Sequence, residues 1–103
     1  MTYPEHDPTL PVIAVDFDGV LASSHWPSPK IGEPDFDALY LVEHYHRAGC
    51  EVIVFTARPV SHHPRIWKWL EKHGIEWCVY DVTNIKPVAS IYFDDRAVRW
   101  PLA

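Results

Sequence analysis

The stretch VIAVDFDGVL, residues 12–21, decides the fold. Val12, Ile13, Ala14 and Val15 form a continuous apolar run, the pattern of a parallel strand covered on both faces. Asp16 and Asp18 then fall at the C-terminal end of that strand, the edge at which open parallel sheets bind ligands. Strand alternation points the two side chains the same way. Two like charges so placed are costly unless something positive sits between them, and a divalent cation and a phosphoryl group are the candidates. Gly19 permits a sharp turn just after the second carboxylate.

Working outward, the same logic repeats. Residues 1–11 hold three prolines and read as a loose lead-in. After a first strand over 12–17, residues 21–34 are a proline-rich loop. Asp35 is placed to cap a helix running to Ala48, with Ala38, Leu41, Val42, Tyr45 and Ala48 on its buried face and Gly49 as its stop. A second apolar strand over 51–55 runs into Thr56, Ala57 and Arg58. A second helix spans 61–73, with Pro64 in its first turn and Ile66, Trp69, Leu70 and His73 as its stripe. A third strand is expected over 76–80, a short helix opening at Pro87, and a fourth strand over 91–93 that ends in Asp94 and Asp95. Strands alternating with helices make an α/β domain. Right-handed crossovers are expected to put helices on both faces. The result is a three-layer α/β/α sandwich around a mainly parallel, Rossmann-like sheet of about four strands. The ends of strands 1, 2 and 4 share one edge, which collects Asp16, Asp18, Thr56, Arg58, Asp94 and Asp95.

Composition sets the limits. At 103 residues the chain is a single domain, 1–103, that buries only about 65% of its unfolded surface. Its hydrophobic content of 48% and five tryptophans argue for a folded core. The net charge of −5 argues against nonspecific nucleic-acid binding, and the four acids of the sheet edge account for most of it. Cys50 and Cys78 have no metal-ligand spacing and read as reduced core thiols. No apolar run reaches membrane-spanning length and the first residues lack a signal-peptide core, so a cytoplasmic protein without membrane contact is expected.

Four ordered motifs, DFDGVL at 16–21, TAR at 56–58, KP at 86–87 and FDDR at 93–96, resemble those of the haloacid dehalogenase superfamily in its phosphatase branch. The match spans residues 12–97. Each motif alone is weak; four in order, three of them directly after apolar strands, are not. The resemblance implies a hydrolase of phosphate monoesters acting through an aspartyl-phosphate, with Asp16 as nucleophile and Asp18 as acid and base. It implies Mg²⁺ held by the Asp16 carboxylate, the Asp18 backbone carbonyl and Asp94, with Asp95 bound directly or through water. Lys86 and the Thr56 hydroxyl would hold the phosphoryl group. Arg58 either contacts substrate or pairs with the acids. Arg96 reads as an ion-pair partner, His62 and His63 as a solvated helix start, and Trp26 and Trp100 as packing residues.

Relatives of this kind commonly carry a cap domain, and neither insertion point in this sequence has room for one. A capless site is open to large phosphorylated substrates: a phosphoprotein, a nucleic-acid end or a bulky metabolite. The loop around Trp26 and Lys30 offers a small flap with an aromatic and a cation, and the small core leaves room for a homo-oligomer. Two other readings use the same residues. One is a phospho-accepting receiver or carrier domain. It is disfavoured because a receiver carries its paired acids on the first strand and its acceptor Asp on a later one. The other is a noncatalytic binding module of the same fold.

Overall fold

The structure is a computed structural model that describes residues 9–96. Strand β1 (Val12–Asp16) leads through a long loop into helix α1 (Phe36–Arg47), and β2 (Glu51–Phe55) leads into helix α2 (His63–Lys72). Then come a 3₁₀ turn at Glu76–Cys78, strand β3 (Val79–Thr83) and strand β4 (Ile91–Phe93). The four strands form one all-parallel sheet in the order β3-β2-β1-β4. β1 is central: Val15 stands opposite Val54 on one side and Phe93 on the other.

The helices start and stop where local chemistry says they should. The Asp35 carboxylate accepts from the backbone N–H groups of Asp37 and Ala38 at 3.0 and 3.2 Å, satisfying two donors that the first turn of α1 leaves open. Gly49 closes the helix at φ +90°, a conformation that favours glycine. The buried face of α1 is rotated from the expected stripe: Leu39 and Val42 are buried, Ala38 and Tyr45 half-buried, and Leu41 and Ala48 are exposed. On α2, Ile66, Trp69 and Leu70 are buried as expected, and His73 packs against Trp69 with ring centroids 4.5 Å apart.

The α/β class and the parallel four-stranded sheet are as the sequence predicts, but the layering differs. Ile13, Val15, Val52 and Val54 belong to one core cluster with Leu39 and Val42 of α1 and Ile66 and Leu70 of α2. Both helices therefore cover the same face of the sheet. Ala14, Ile53 and Tyr92, which stand opposite one another in register, lie on the other face and outside that cluster. The reason is topological. The steps β1 to β2 and β2 to β3 move the same way across the sheet, so two right-handed crossovers put both helices on one side. Only the return from β3 to β4 crosses the second face. Seven residues, 84–90, make that return. A helical crossover needs about a dozen residues or more, so Pro87 opens no helix. The connection instead lays Lys86 against the rings of Phe55 and Tyr92, with Nζ 5.4 and 4.8 Å from their centroids. The described residues thus make two layers, not the three expected.

β3 begins three residues later than the sequence pattern suggests. Glu76–Cys78 coils into a 3₁₀ turn, fixed by the Trp77 indole N–H donating to the Gly74 carbonyl at 2.8 Å, and the strand takes the more polar VYDVT. Residues 17–35 and 56–62 hold no separate folded unit. The first loop is pinched at its base, where Ser23 and Glu33 exchange hydrogen bonds and Asp35 N–H donates to the Leu21 carbonyl. Cys50 and Cys78 are free thiols, and burial pushes the Cys78 thiol up to about 11. No helix among the described residues is long and apolar enough to cross a membrane. Residues 1–8 of the lead-in and Trp100 lie outside the described residues.

Candidate active site

Asp16 is the last residue of β1, and Asp94 and Asp95 follow β4, its neighbour in the sheet. Adjacent parallel strands end on the same side, so the carboxylates converge. Asp16, Asp94 and Asp95 each offer one oxygen, and the three oxygens lie within 4.8 Å of one another. These three carboxylates can hold a metal ion. Burial lifts the Asp16 carboxyl from its ordinary 3.8 to about 7, helped by the charges of Asp94, Asp95 and Asp18 and a hydrogen bond with Asp95. Asp94 moves the other way. Lys86 Nζ donates to its Oδ2 at 2.9 Å and the Arg96 backbone N–H to its Oδ1 at 2.9 Å, so its carboxyl sits below the usual range. The same contact with Asp94 raises Lys86.

Gly19 makes the close approach possible. It sits at φ +96°, and a Cβ built there would run into the Asp95 carboxylate. The turn from β1 into the loop therefore has to be glycine for two independent reasons: its backbone conformation and the carboxylate beside it.

Asp18 leaves the cluster of three. Both of its oxygens accept from Arg58, Oδ2 from Nε and Oδ1 from Nη2, each at 2.9 Å. Arg58 has no exposed surface, and its five N–H groups all have partners. Besides the two on Asp18, Nη2 donates to the Lys30 carbonyl and Nη1 to the Pro29 carbonyl. The fifth meets His62 Nδ1 at 3.4 Å, which must accept because a guanidinium only donates. Of the two roles left open for Arg58, the geometry puts it on the acids: in this arrangement it touches Asp18 and the loop, not the cavity.

The remaining residues surround a cavity of about 280 Å³ at this edge of the sheet. Asp16, Asp18, Thr56, Lys86, Asp94 and Trp26 all border it. Thr56 is buried at the end of β2; its Oγ1 accepts from the Arg58 backbone N–H at 3.0 Å, which leaves the hydroxyl proton free to donate. Lys30 does not border the cavity: its side chain is exposed, and it contributes its backbone carbonyl to Arg58. Asp95 is exposed beside Asp16 and Gly19.

Three residues do more than the sequence suggests. His62 is half-buried against Arg58 and Trp26 rather than solvated, and its position four residues after Arg58, one turn away, is the signal that points to it. Arg96 borders the cavity and gives its amide to Asp94. Asn84 also borders it, directly after β3; placing that strand three residues too early hides it.

No family model matches the chain, and no curated protein matches it. Solved structures that share its fold include a conserved protein coded by a locus from Bacteroides thetaiotaomicron, 24% identical, with a TM-score of 0.71 over 86% of this chain and 78% of that one. A chain of the Pnkp1/Rnl/Hen1 RNA repair complex is 19% identical, with a TM-score of 0.57 over 96% of this chain and 31% of that chain. At these identities the likeness is one of fold: an α/β domain with an all-parallel four-stranded sheet and two helices.

Proposed function

We propose that the chain is a Mg²⁺-dependent phosphohydrolase that cleaves phosphate monoesters through an aspartyl-phosphate on Asp16. The observation that carries this reading is the convergence of Asp16, Asp94 and Asp95 at the strand ends, with Lys86 already seated on one of them. All three donors are carboxylate oxygens, the set that a hard cation prefers, and the repulsion that raises Asp16 is what such a cation relieves. Asp16, Asp94, Asp95 and the Asp18 backbone carbonyl would hold Mg²⁺. Bound there, it would neutralise the carboxylates and the transferring phosphoryl group.

The residues divide the work. An Asp16 oxygen attacks phosphorus and the bond to the leaving oxygen breaks, with Asp18 supplying the proton that oxygen needs. Water then attacks the aspartyl-phosphate while Asp18 takes its proton, and inorganic phosphate leaves. The Lys86 ammonium and the Thr56 hydroxyl face the cavity where the phosphoryl oxygens gather negative charge. Both Asp18 oxygens are engaged by Arg58, so acid–base work requires Asp18 to release one of them. The cavity has no folded unit over it among the described residues, which suits a substrate larger than the phosphate it presents.

Phosphate release from a panel of monoesters, with Mg²⁺ and with a chelator, tests the proposal. Mg²⁺-dependent turnover is expected. Turnover that survives chelation overturns the metal assignment, and a long-lived aspartyl-phosphate without phosphate release would favour a receiver domain. Gly19→Ala gives a sharper check on the ligands. Its new methyl group displaces Asp95, so Mg²⁺ affinity read by calorimetry is expected to fall about tenfold or more, as for disruption around a metal site. Unchanged affinity would remove Asp95 from the ligand set.

A further inference from the structure

Trp26 has surroundings that the chemistry of phosphate transfer does not use. Its ring borders the same cavity as Asp16, Thr56 and Lys86. The ring is braced from outside that cavity. The Arg58 guanidinium carbon lies 5.0 Å from its centroid, and the His62 ring stands perpendicular to it at 5.9 Å. Arg58 is itself immobilised, with every N–H bound and no exposed surface. The loop that carries Trp26 is anchored at both ends, by Arg58 on the Pro29 and Lys30 carbonyls and by the Ser23–Glu33 hydrogen bonds at its base. A half-buried indole held this firmly is a wall, not a mobile tip.

We infer that Trp26 is a preorganised stacking wall that selects phosphate monoesters carried on a planar heterocycle, that is, nucleotides. The inference rests on the phosphohydrolase reading of the site. A flat base has a π-face to lay against the indole, and the cavity separates the two jobs spatially: charge at Asp16, Asp94 and Lys86, an aromatic surface at Trp26. Ser24 and Asn84, which also border the cavity, bring a hydroxyl and an amide able to meet a base edge. At about 280 Å³ the cavity is near the lower end of ligand-binding clefts and suits one nucleotide rather than a long segment. The chain's net charge of −5 offers no basic track for a polynucleotide backbone. Because Arg58 fixes the ring before substrate arrives, little ordering remains to be done on binding.

The test compares kcat/KM for a nucleoside monophosphate and for glycerol 3-phosphate, with Mg²⁺, in the wild-type chain, Trp26→Leu and Trp26→Phe. Calorimetric binding of the same two compounds to Asp16→Asn gives a readout that needs no turnover. The wild type is expected to favour the nucleotide. Trp26→Leu is expected to lower that preference about tenfold or more, mainly through KM, the scale of base–aromatic stacking. Trp26→Phe keeps a stacking face and should keep most of the preference, and it carries the test if the leucine variant does not fold. Turnover without a nucleotide preference, or a preference untouched by Trp26→Leu, overturns the wall and leaves the hydrolase reading standing. Nucleotide-selective binding without turnover supports the wall and overturns the hydrolase reading. Neither selectivity nor turnover overturns both.

Discussion

Replacing Asp16 by Asn is expected to eliminate phosphate release and, in the metal-free protein, to raise the melting temperature. The two effects share one cause. As nucleophile, Asp16 has no substitute among its neighbours, and loss of a nucleophile costs at least about a thousandfold in turnover. As a charge, it is held beside Asp94 and Asp95 with its carboxyl lifted from 3.8 to about 7. Below pH 3.8 the carboxyl is neutral in both folded and unfolded chains and carries no penalty. Between 3.8 and about 7 the unfolded chain releases the proton and the folded one keeps it, so stability is lost progressively as pH rises, and the loss is complete above about 7. Because Asp16 is only half-buried, solvent screening reduces the penalty to roughly 1–2 kcal/mol. For a domain of this size that is about 4–16 °C in melting temperature. The asparagine amide carries no charge, so the Asp16→Asn variant should melt higher than wild type at pH 8 and at the same temperature at pH 3. Mg²⁺ should reverse the order at pH 8, because a ligand that binds only the folded wild-type site stabilises it by mass action. Paired thermal melts at the two pH values, with and without Mg²⁺, measure all of this. A variant less stable than wild type at pH 8 without metal would show that the three carboxylates are not crowded as described.

That crowding was legible in the sequence because it follows from local facts. Asp16 comes directly after an apolar strand, and so does Asp94. Parallel strands that are neighbours end side by side, so two local patterns and one topological rule place the carboxylates together. The features that were not legible depend on distance along the chain. The layering turned on the strand order, which no local pattern encodes: β1, β2 and β3 follow one another across the sheet, so both helical crossovers run the same way, and β4 returns beside β1 through a connection too short for a helix. Strand β3 was displaced because VYDVT, with an exposed Asp81 at its centre, resembles a polar connection more than a strand. Leu41 fits the helical period as well as Leu39 does, and only the helix's rotation on the sheet buries one and exposes the other. Arg58 was the hardest to read. Its partners Asp18, Pro29 and Lys30 lie 40, 29 and 28 residues away, so whether it faces substrate or the acids is decided by the path of a proline-rich loop.

That same arginine should prove the most costly single residue to lose. Arg58→Ala is expected to destabilise the chain by about 3–5 kcal/mol, the scale of breaking a buried ion pair by removing one partner. The Arg58 side chain is fully buried and that of Asp18 is 10% exposed. Truncation would strand the Asp18 carboxylate and leave the Pro29 and Lys30 carbonyls without their donors. Small domains hold about 5–15 kcal/mol in all, so the variant should sit close to unfolding and its urea midpoint should fall steeply. Arg58→Lys should recover only part, since an ammonium with three donors cannot serve two carboxylate oxygens, two carbonyls and a histidine at once. Asp18→Asn in the Arg58→Ala background should recover part by a different route, because it removes the stranded charge. The double-mutant cycle therefore separates charge burial from loss of the loop anchor: full recovery by Asp18→Asn would assign the whole cost to the carboxylate, and no recovery would assign it to the loop. A loss under about 1 kcal/mol, the value of an exposed pair, would contradict the buried network altogether. The stability of this small domain and the geometry of its site thus meet in one side chain, which packs the loop, orients Asp18 and backs Trp26. Substitutions there should lower stability and turnover together, whereas at Asp16 the two should move in opposite directions.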